Sequence, residues 1–425
     1  MGARGTRLLL VVAGLAAALV VSGTALGDRR QVKPVKLAIS SDVQEGGVVA
    51  DGSKLLVIEP FSAESSGSIT RLNLSGSLDR SFGDQGNVAM RAEGVTVADD
   101  GKLLVSTTSN PSESATKTSA RVMRLLPNGH PDRSFGVGGH ADIDFGKRYD
   151  YAETAELAAN GDILVGGIRV NSSVNRGESD YSLAVARLKP DGSLDRSFGR
   201  DGVRILPGGG EVAVRDIALT PSGAIIVEGG NEIETFLWKL NRDGSIDRHF
   251  GRDGFLVPRD HRRVSGILEE LTYAPGIAVL PSGKLLLAAD GFLYQGKGGR
   301  NRVVAVRLRP DGRQDRSYGK HGWATAGSGI DWTLAHGLTL LSHGVLAVAA
   351  SFEDESADEH REFGVIAFSP DGRLEDRFGR HGRCRARLPG RHEAVAITEI
   401  DARPVVVGDG YLGTYLLNCS PLRRR

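Results

Sequence analysis

The sequence predicts an all-β fold: a seven-bladed β-propeller of four-stranded antiparallel blades, closed by an N-terminal strand pairing with the last blade. Three observations predict it. A thirteen-residue segment recurs six times, and a strand–turn–strand pattern lies between successive copies. Glycine accounts for 57 of 425 residues, roughly twice the usual share. That content suits short strands joined by tight turns and opposes helices, where each interior glycine costs about 1 kcal/mol.

The first copy runs Arg71-Leu-Asn-Leu-Ser-Gly-Ser-Leu-Asp-Arg-Ser-Phe-Gly83. The others are Arg124 to Gly136, Arg187 to Gly199, Lys239 to Gly251, Arg307 to Gly319 and Ala367 to Gly379. In each, a glycine is followed seven residues later by another that an aromatic precedes, and a third comes three residues on, as at Gly76, Gly83 and Gly86. The first glycines lie 53, 63, 52, 68 and 60 residues apart. Such a period belongs to propellers or solenoids. The hairpins between copies are Gly94 to Val105, Thr154 to Val165, Asp216 to Val227, Gly276 to Leu287 and Gly337 to Val348, with weaker ones at Glu45 to Ile58 and Val395 to Val407. Each reads as apolar strand, turn, apolar strand. A third strand follows, as in Ser182 to Leu188, and a fourth after the repeated segment, as in Gly202 to Leu206 and Gly254 to Val257. Four antiparallel strands make a blade, and seven units of about 57 residues fill positions 28–425 as one domain. The seventh unit stops after its third strand, Leu412 to Asn418, while Val35 to Ser40 is left as a spare strand. It is expected to become the outer strand of the last blade, hiding an edge that would otherwise invite aggregation. The first strand of each unit, short and rich in Ala, Val and Ile, is expected innermost.

Within the segment, Pro190-Asp191-Gly192 and Pro310-Asp311-Gly312 are turn formers, because proline presets φ, aspartate bonds nearby N–H groups and glycine accepts positive φ. Phe82, Phe135, Phe198, Phe250, Tyr318 and Phe378 are expected to wedge between sheets, each ring worth roughly 2–3 kcal/mol of burial. Asp79, Asp132, Asp195, Asp247 and Asp315 are expected to cap the turn that follows. Asn241-x-Asp243-Gly244-x-x-Asp247 also has part of the form of a calcium loop. Lys189, Arg309 and Ser369 hold its first ligand position elsewhere. Turn formation is therefore the preferred reading. No cofactor is expected, with a single divalent cation such as Ca2+ as the alternative.

The template Leu-Asp-Arg-Ser-Phe-Gly-x-x-Gly of Leu194 to Gly202 resembles the delta-60 repeat, a propeller-like repeat of bacterial proteins. The resemblance covers nearly all of positions 28–425 and implies the fold. It implies no common activity. The sixth copy departs from it, with Glu375-Asp376 where Asp-Arg is expected, and the seventh lacks the segment.

Residues 1–27 read as a signal peptide: Arg4 and Arg7, then an uncharged apolar run from Leu8 to Val21, then Ala25-Leu26-Gly27 as a small-x-small cleavage site. Counted to Leu26, the apolar run also approaches the length of an uncleaved anchor. Export points to a secreted or cell-envelope location with no membrane span after cleavage. Cleavage removes two arginines and turns the net charge of +1 to −1. With no basic excess to hold a phosphate backbone, nucleic acid is not an expected partner. Export also permits a disulfide between Cys384 and Cys419, against two separate buried thiols.

The antiparallel order puts the first-to-second turns and the repeated segments at one end of the ring. The opposite end carries the connections that vary. The long ones are Thr107 to Thr118, Asn171 to Asp180, Asp290 to Asn301, Phe352 to Arg361, Phe145 to Glu153 and Pro258 to Ala274. Variable loops on a rigid face are where binding usually resides. The central mouth there is expected to be lined by Glu93, Glu153, Arg215 and His336, flanked by Tyr149, Tyr151, Tyr294 and Trp332. Signatures for G-x-S-x-G, H-E-x-x-H and C-x-x-C chemistry are missing. The expected function is therefore a monomeric binding or scaffold module for a protein or glycan. The alternative is a hydrolase or lactonase with a cation or carboxylates at the channel mouth.

Overall fold

The computed structural model describes residues 34–39, 47–59, 66–109, 117–172, 179–208, 212–231, 234–258, 274–295, 298–326, 332–353, 361–386, 388, 392–410 and 414–419. The predicted signal peptide lies outside them. Among the described residues are 28 strands and one 3-10 turn, Ser342–Gly344, and no helix is long and apolar enough to cross a membrane.

The strands form seven four-stranded antiparallel sheets. Blade 1 is β2 (Gly47–Asp51), β3 (Lys54–Glu59), β4 (Ser68–Asn73) and β5 (Asn87–Ala89). Blade 2 is β6 (Gly94–Val97), β7 (Leu103–Thr108), β8 (Ala120–Leu125) and β9 (His140–Ile143). Blade 3 is β10 (Tyr149–Leu157), β11 (Ile163–Ser172), β12 (Ser179–Leu188) and β13 (Val203–Pro207). Blade 4 is β14 (Ala213–Leu219), β15 (Ile225–Gly230), β16 (Thr235–Leu240) and β17 (Phe255–Leu256). Blade 5 is β18 (Ile277–Val279), β19 (Leu285–Gln295), β20 (Gly298–Leu308) and β21 (Trp323–Ala326). Blade 6 is β22 (Trp332–Leu341), β23 (Val345–Glu353), β24 (Arg361–Phe368) and β25 (Arg383–Arg385). Blade 7 is β26 (His392–Ile400), β27 (Arg403–Gly410), β28 (Tyr415–Asn418) and, as its outer strand, β1 (Val35–Lys36).

Second strands such as β7 and β15 are buried along their whole length. Each opens on an apolar run, residues 103–105 and 225–227, where a neighbouring blade covers both faces. First strands touch in the cyclic order β2, β6, β10, β14, β18, β22, β26 and back to β2, so they form the inner wall of a closed ring.

The repeated segment fastens each blade to the next. Arg187, at the end of β12, donates from Nε and Nη2 to Asp195 at 2.8 and 2.7 Å. Asp195 Oδ1 accepts from the backbone N–H and hydroxyl of Ser197 at 3.0 and 2.7 Å. The guanidinium sits 4.9 Å above the Phe198 ring. Its Nη1 donates at 2.5 Å to the Arg242 carbonyl in blade 4. The Gly199 N–H reaches the Asp243 carbonyl of the same turn at 2.7 Å. Phe198 is fully buried and packs on Gly244, whose φ of 81° and whose absent Cβ, 2.8 Å from the ring, both require glycine. The fastening recurs at Arg71, Arg124, Lys239 and Arg307, which donate to the carbonyls of Pro127, Pro190, Pro310 and Pro370. Burial opposes ionisation of Asp195, but the Ser197 and Arg187 bonds outweigh it and hold the carboxyl below its usual range. The repeated aspartates thus serve turns and ion pairs.

Two seams lack this device and use others. At the sixth, Ala367 stands where the arginine would be, and Cys384 in β25 is disulfide-bonded to Cys419 after β28. At the seventh, β1 pairs antiparallel with β28 through Val35↔Leu416 and Lys36↔Tyr415. The Ala38 N–H then bonds to the Gly76 carbonyl of blade 1 at 2.9 Å. Ala50 donates to Thr398 Oγ1 of blade 7 at 3.2 Å.

Candidate functional site

The inner strands share an irregularity at the variable-loop end. The register slips between Ala152 and Thr154 in β10, Val214 and Asp216 in β14, Ala335 and Gly337 in β22, and Ala394 and Ala396 in β26. The extra residues are Glu153, Arg215, His336 and Val395. Glu93 precedes β6 at the corresponding place, its N–H bonded to the Ser106 carbonyl at 2.8 Å. A bulge re-aims one side chain out of the strand's alternation. Four of the residues singled out in the sequence therefore occupy equivalent positions in blades 2, 3, 4 and 6.

The backbone N–H just before the bulge leaves its own ladder, and the preceding blade satisfies it. Glu153 Oε2 accepts from Val214 at 2.6 Å, Asp290 Oδ1 from Ala335 at 2.6 Å and Ser351 Oγ from Ala394 at 2.9 Å. Ahead of β18, which has no register slip, Thr235 Oγ1 likewise accepts from the Ala274 N–H at 3.1 Å. Arg215 Nη1 donates to Thr235 Oγ1 at 3.0 Å, and its Nη2 donates to the Asn231 carbonyl. The hydroxyl of Ser351 lies 2.7 Å from His336 Nε2. Arg91 pairs with Glu93.

Glu153 is fully buried, and burial lifts its carboxyl to about 8. The Val214 N–H opposes this, Glu93 adds repulsion and Arg215 attraction. Glu93, Glu153 and Arg215 thus stand within electrostatic reach of one another. Burial also brings Asp290 to about 7 against the Ala335 N–H.

Tyr149 and Tyr151 lie on β10, half buried with Tyr181 of β12 against the core shared by blades 3 and 4. Tyr149, Val170 and Tyr181 form one cross-strand row. Arg148 lies 5.4 Å over the Tyr149 ring. Burial raises the Tyr151 hydroxyl, opposed by its bond to Thr118. Tyr294 and Trp332 fall on β19 and β22, with side chains outside the described residues.

One expected loop is largely strand. β19 and β20 pair as far as Gln295↔Gly298, so the ladder continues through most of 290–301, while β11 and β12 pair as far as Ser172↔Ser179 and residues 173–178 lie outside the described residues. The glycines of 290–301 suggested a loop, yet the hairpin continues past the sheet body. Most of the other variable connections, residues 110–116, 259–273 and 354–360, lie outside the described residues.

Sequence reasoning passed over a second set of carboxyls, Glu156, Asp216 and Glu228. Asp216 and Glu228 face each other across β14 and β15. The equivalent pairs are Gly94/Ser106, Thr154/Gly166, Gly337/Ala349 and Ala396/Val407. Asp216 Oδ2 accepts from the Ile277 N–H of blade 5 at 3.1 Å, and neither Glu228 oxygen has a hydrogen-bond partner among the described residues. Burial lifts Asp216 to about 8 and carries Glu156 and Glu228 well above the usual range, with Asp216 repelling both. At neutral pH these groups hold protons. Among the described residues no three His, Cys, Asp or Glu side chains converge as a metal site. The signal for this set was two acids inside an otherwise apolar hairpin.

A family model described as "Domain of unknown function (DUF5122) beta-propeller" matches residues 98–135 and 158–198. Each match ends at or beside the aromatic of a repeated segment. Among solved structures, a protein of unknown function from Bacteroides caccae is 14% identical, with TM-score 0.36, over 66% of this chain and 86% of that one. A puromycin hydrolase is 15% identical with TM-score 0.47, and the match spans 93% of this chain but 54% of the hydrolase. A protein from Lactobacillus plantarum is 13% identical with TM-score 0.46, over 84% and 89%. No curated protein matches the chain.

Proposed function

We propose that this chain is an exported, monomeric binding or scaffold module that engages a protein or glycan through its variable-loop face and needs no cofactor. One contrast supports the reading. Five seams carry the same fastening at one end of the ring. At the other, the equivalent bulge positions hold Glu93, Glu153, Arg215, His336 and Val395, different chemistry in nearly every blade. A uniform frame with one individualised face is the form of a recognition scaffold. The tyrosines beside Arg148 offer a half-buried, amphipathic surface of the kind that anchors ligands. The Cys384–Cys419 disulfide and the signal peptide expected at 1–27 both favour an oxidising compartment. The delta-60 resemblance is retained for the repeat.

Calorimetry against panels of soluble glycans and peptides tests this reading. Y149A and Y151A are expected to weaken the bound ligand about tenfold each while leaving the fold intact. Ligands that bind the double variant as tightly as the parent would refute it.

The hydrolase reading draws on one observation, the Glu153 carboxyl at about 8 beside Glu93 and Arg215. A carboxyl protonated at neutral pH is what a general acid needs. Turnover of esters or lactones that E153Q abolishes, or a stoichiometric divalent cation, would replace the binding reading with this one.

A further inference from the structure

We propose that the face bearing the repeated segments, across blades 4 to 6, docks a polyanionic polysaccharide. It lies opposite the face of the proposed function, so the two can stand or fall separately.

The first-to-second turns and the repeated segments share this end of the ring. Ion pairs Lys102–Asp132 at 3.8 Å and Lys284–Asp315 at 2.8 Å join them within blades 2 and 5. Two classes of arginine occur here. Those at the ends of third strands are committed to the seams. The others follow the repeated aspartate: Arg80, Arg133, Arg196, Arg248 and Arg316. All five are exposed, and none makes a side-chain hydrogen bond or ion pair among the described residues. No hydrogen bond or ion pair among the described residues depends on their side chains, yet five copies carry them. The exposed position after the second glycine has diverged to Asp84, Val137, Arg200, Arg252, Lys320 and Arg380.

The field concentrates in one sector. Blades 4 to 6 add Arg242, Arg252, Arg309, Arg377 and Arg380, also exposed and without an ion pair among the described residues. Nearby acids are partly engaged: Asp243 caps its own turn through Ser245 at 2.9 Å, and Asp315 is held by Arg307 and Lys284. The whole chain carries a net charge of only +1, so the cationic surplus here is local.

Forked guanidinium donors suit sulfate, phosphate or carboxylate groups spaced along a polymer. Nucleic acid fits less well. Phe250, Tyr318 and Phe378 are fully buried, so these rings cannot stack bases. The disulfide also suits a compartment where polysaccharides are the common polyanions.

The experiment measures the full chain binding to immobilised heparin, polyuronate and duplex DNA between 50 and 300 mM NaCl. The expected result is polysaccharide binding that falls steeply with salt. R248S/R316S/R377S, with an unchanged melting temperature, should weaken it about tenfold near 100 mM salt. K117S/K147S, toward the opposite face, should bind as the parent does. The proposal is overturned if the parent fails to bind either polysaccharide at 50 mM salt. It is overturned equally if the folded triple variant binds unchanged, or if DNA binds as tightly as the polysaccharides.

Discussion

Asp195 and Asp216 show how placement decides what a carboxylate does. Asp195 is held below its usual range by Arg187 and the Ser197 turn, so D195A removes the closest ion-pair partner of a guanidinium at a blade seam and leaves it the Arg242 carbonyl and the more distant Asp162. A loss of roughly 1–3 kcal/mol is expected in chemical unfolding. Asp216 is the reverse case. Its carboxyl titrates at about 8 in the folded chain and at about 4 when unfolded. Below the lower value it is protonated in both states. Between the two, the unfolded chain releases the proton while the folded chain keeps it, so stability falls as pH rises through this window. D216N keeps an oxygen for the Ile277 N–H and removes the titration. Its melting temperature is expected to gain on the parent by a few degrees at pH 8 and by little at pH 5. Equal shifts at both pH values would contradict the assignment. The sequence displayed the staple aspartates through repetition, whereas Glu156, Asp216 and Glu228 escaped notice because nothing in a linear pattern says that an acid in a hairpin will meet two others.

At the scale of elements, the sixth seam is the informative one. Ala367 stands there in place of the arginine or lysine that fastens five other seams, and Cys384–Cys419 bridges outer β25 to the end of β28. Reduction should therefore act as a local release, lowering the melting temperature by an amount equivalent to about 3 kcal/mol. C384S should match the reduced parent, and dithiothreitol should leave C384S unchanged. A parent indifferent to dithiothreitol would show that packing alone holds the seam. Hairpins were the most legible elements. The pattern at Asp216 to Val227 falls within β14 and β15 because alternation, glycine turn and length agreed. Strand ends were less legible. β19 and β20 extend through residues taken for loop, because inter-strand hydrogen bonding continues where side chains have stopped alternating. The bulges left no sequence mark at all, since one inserted residue in an apolar run looks like any other.

For the whole molecule, blade number followed from counting copies, and the partner of the seventh blade from a missing fourth strand. The composition of the mouth was harder to read. Glu93, Glu153 and Arg215 come from three consecutive blades, and only the side-by-side packing of β6, β10 and β14 makes them neighbours. Deleting residues 28–40 removes β1 and leaves the edge of β28 bare. The expected outcome is a shift to oligomers in size-exclusion chromatography, and a monomer of unchanged stability would argue that the ring is held without it. The pairing of Val35 with Leu416 also sets a schedule. A strand made early waits for a mate made much later, the longest separation of any strand pair among the described residues and the slowest kind of contact to establish. Until that meeting the growing protein is an open crescent with two sticky rims, and the interval is when a chaperone would matter most.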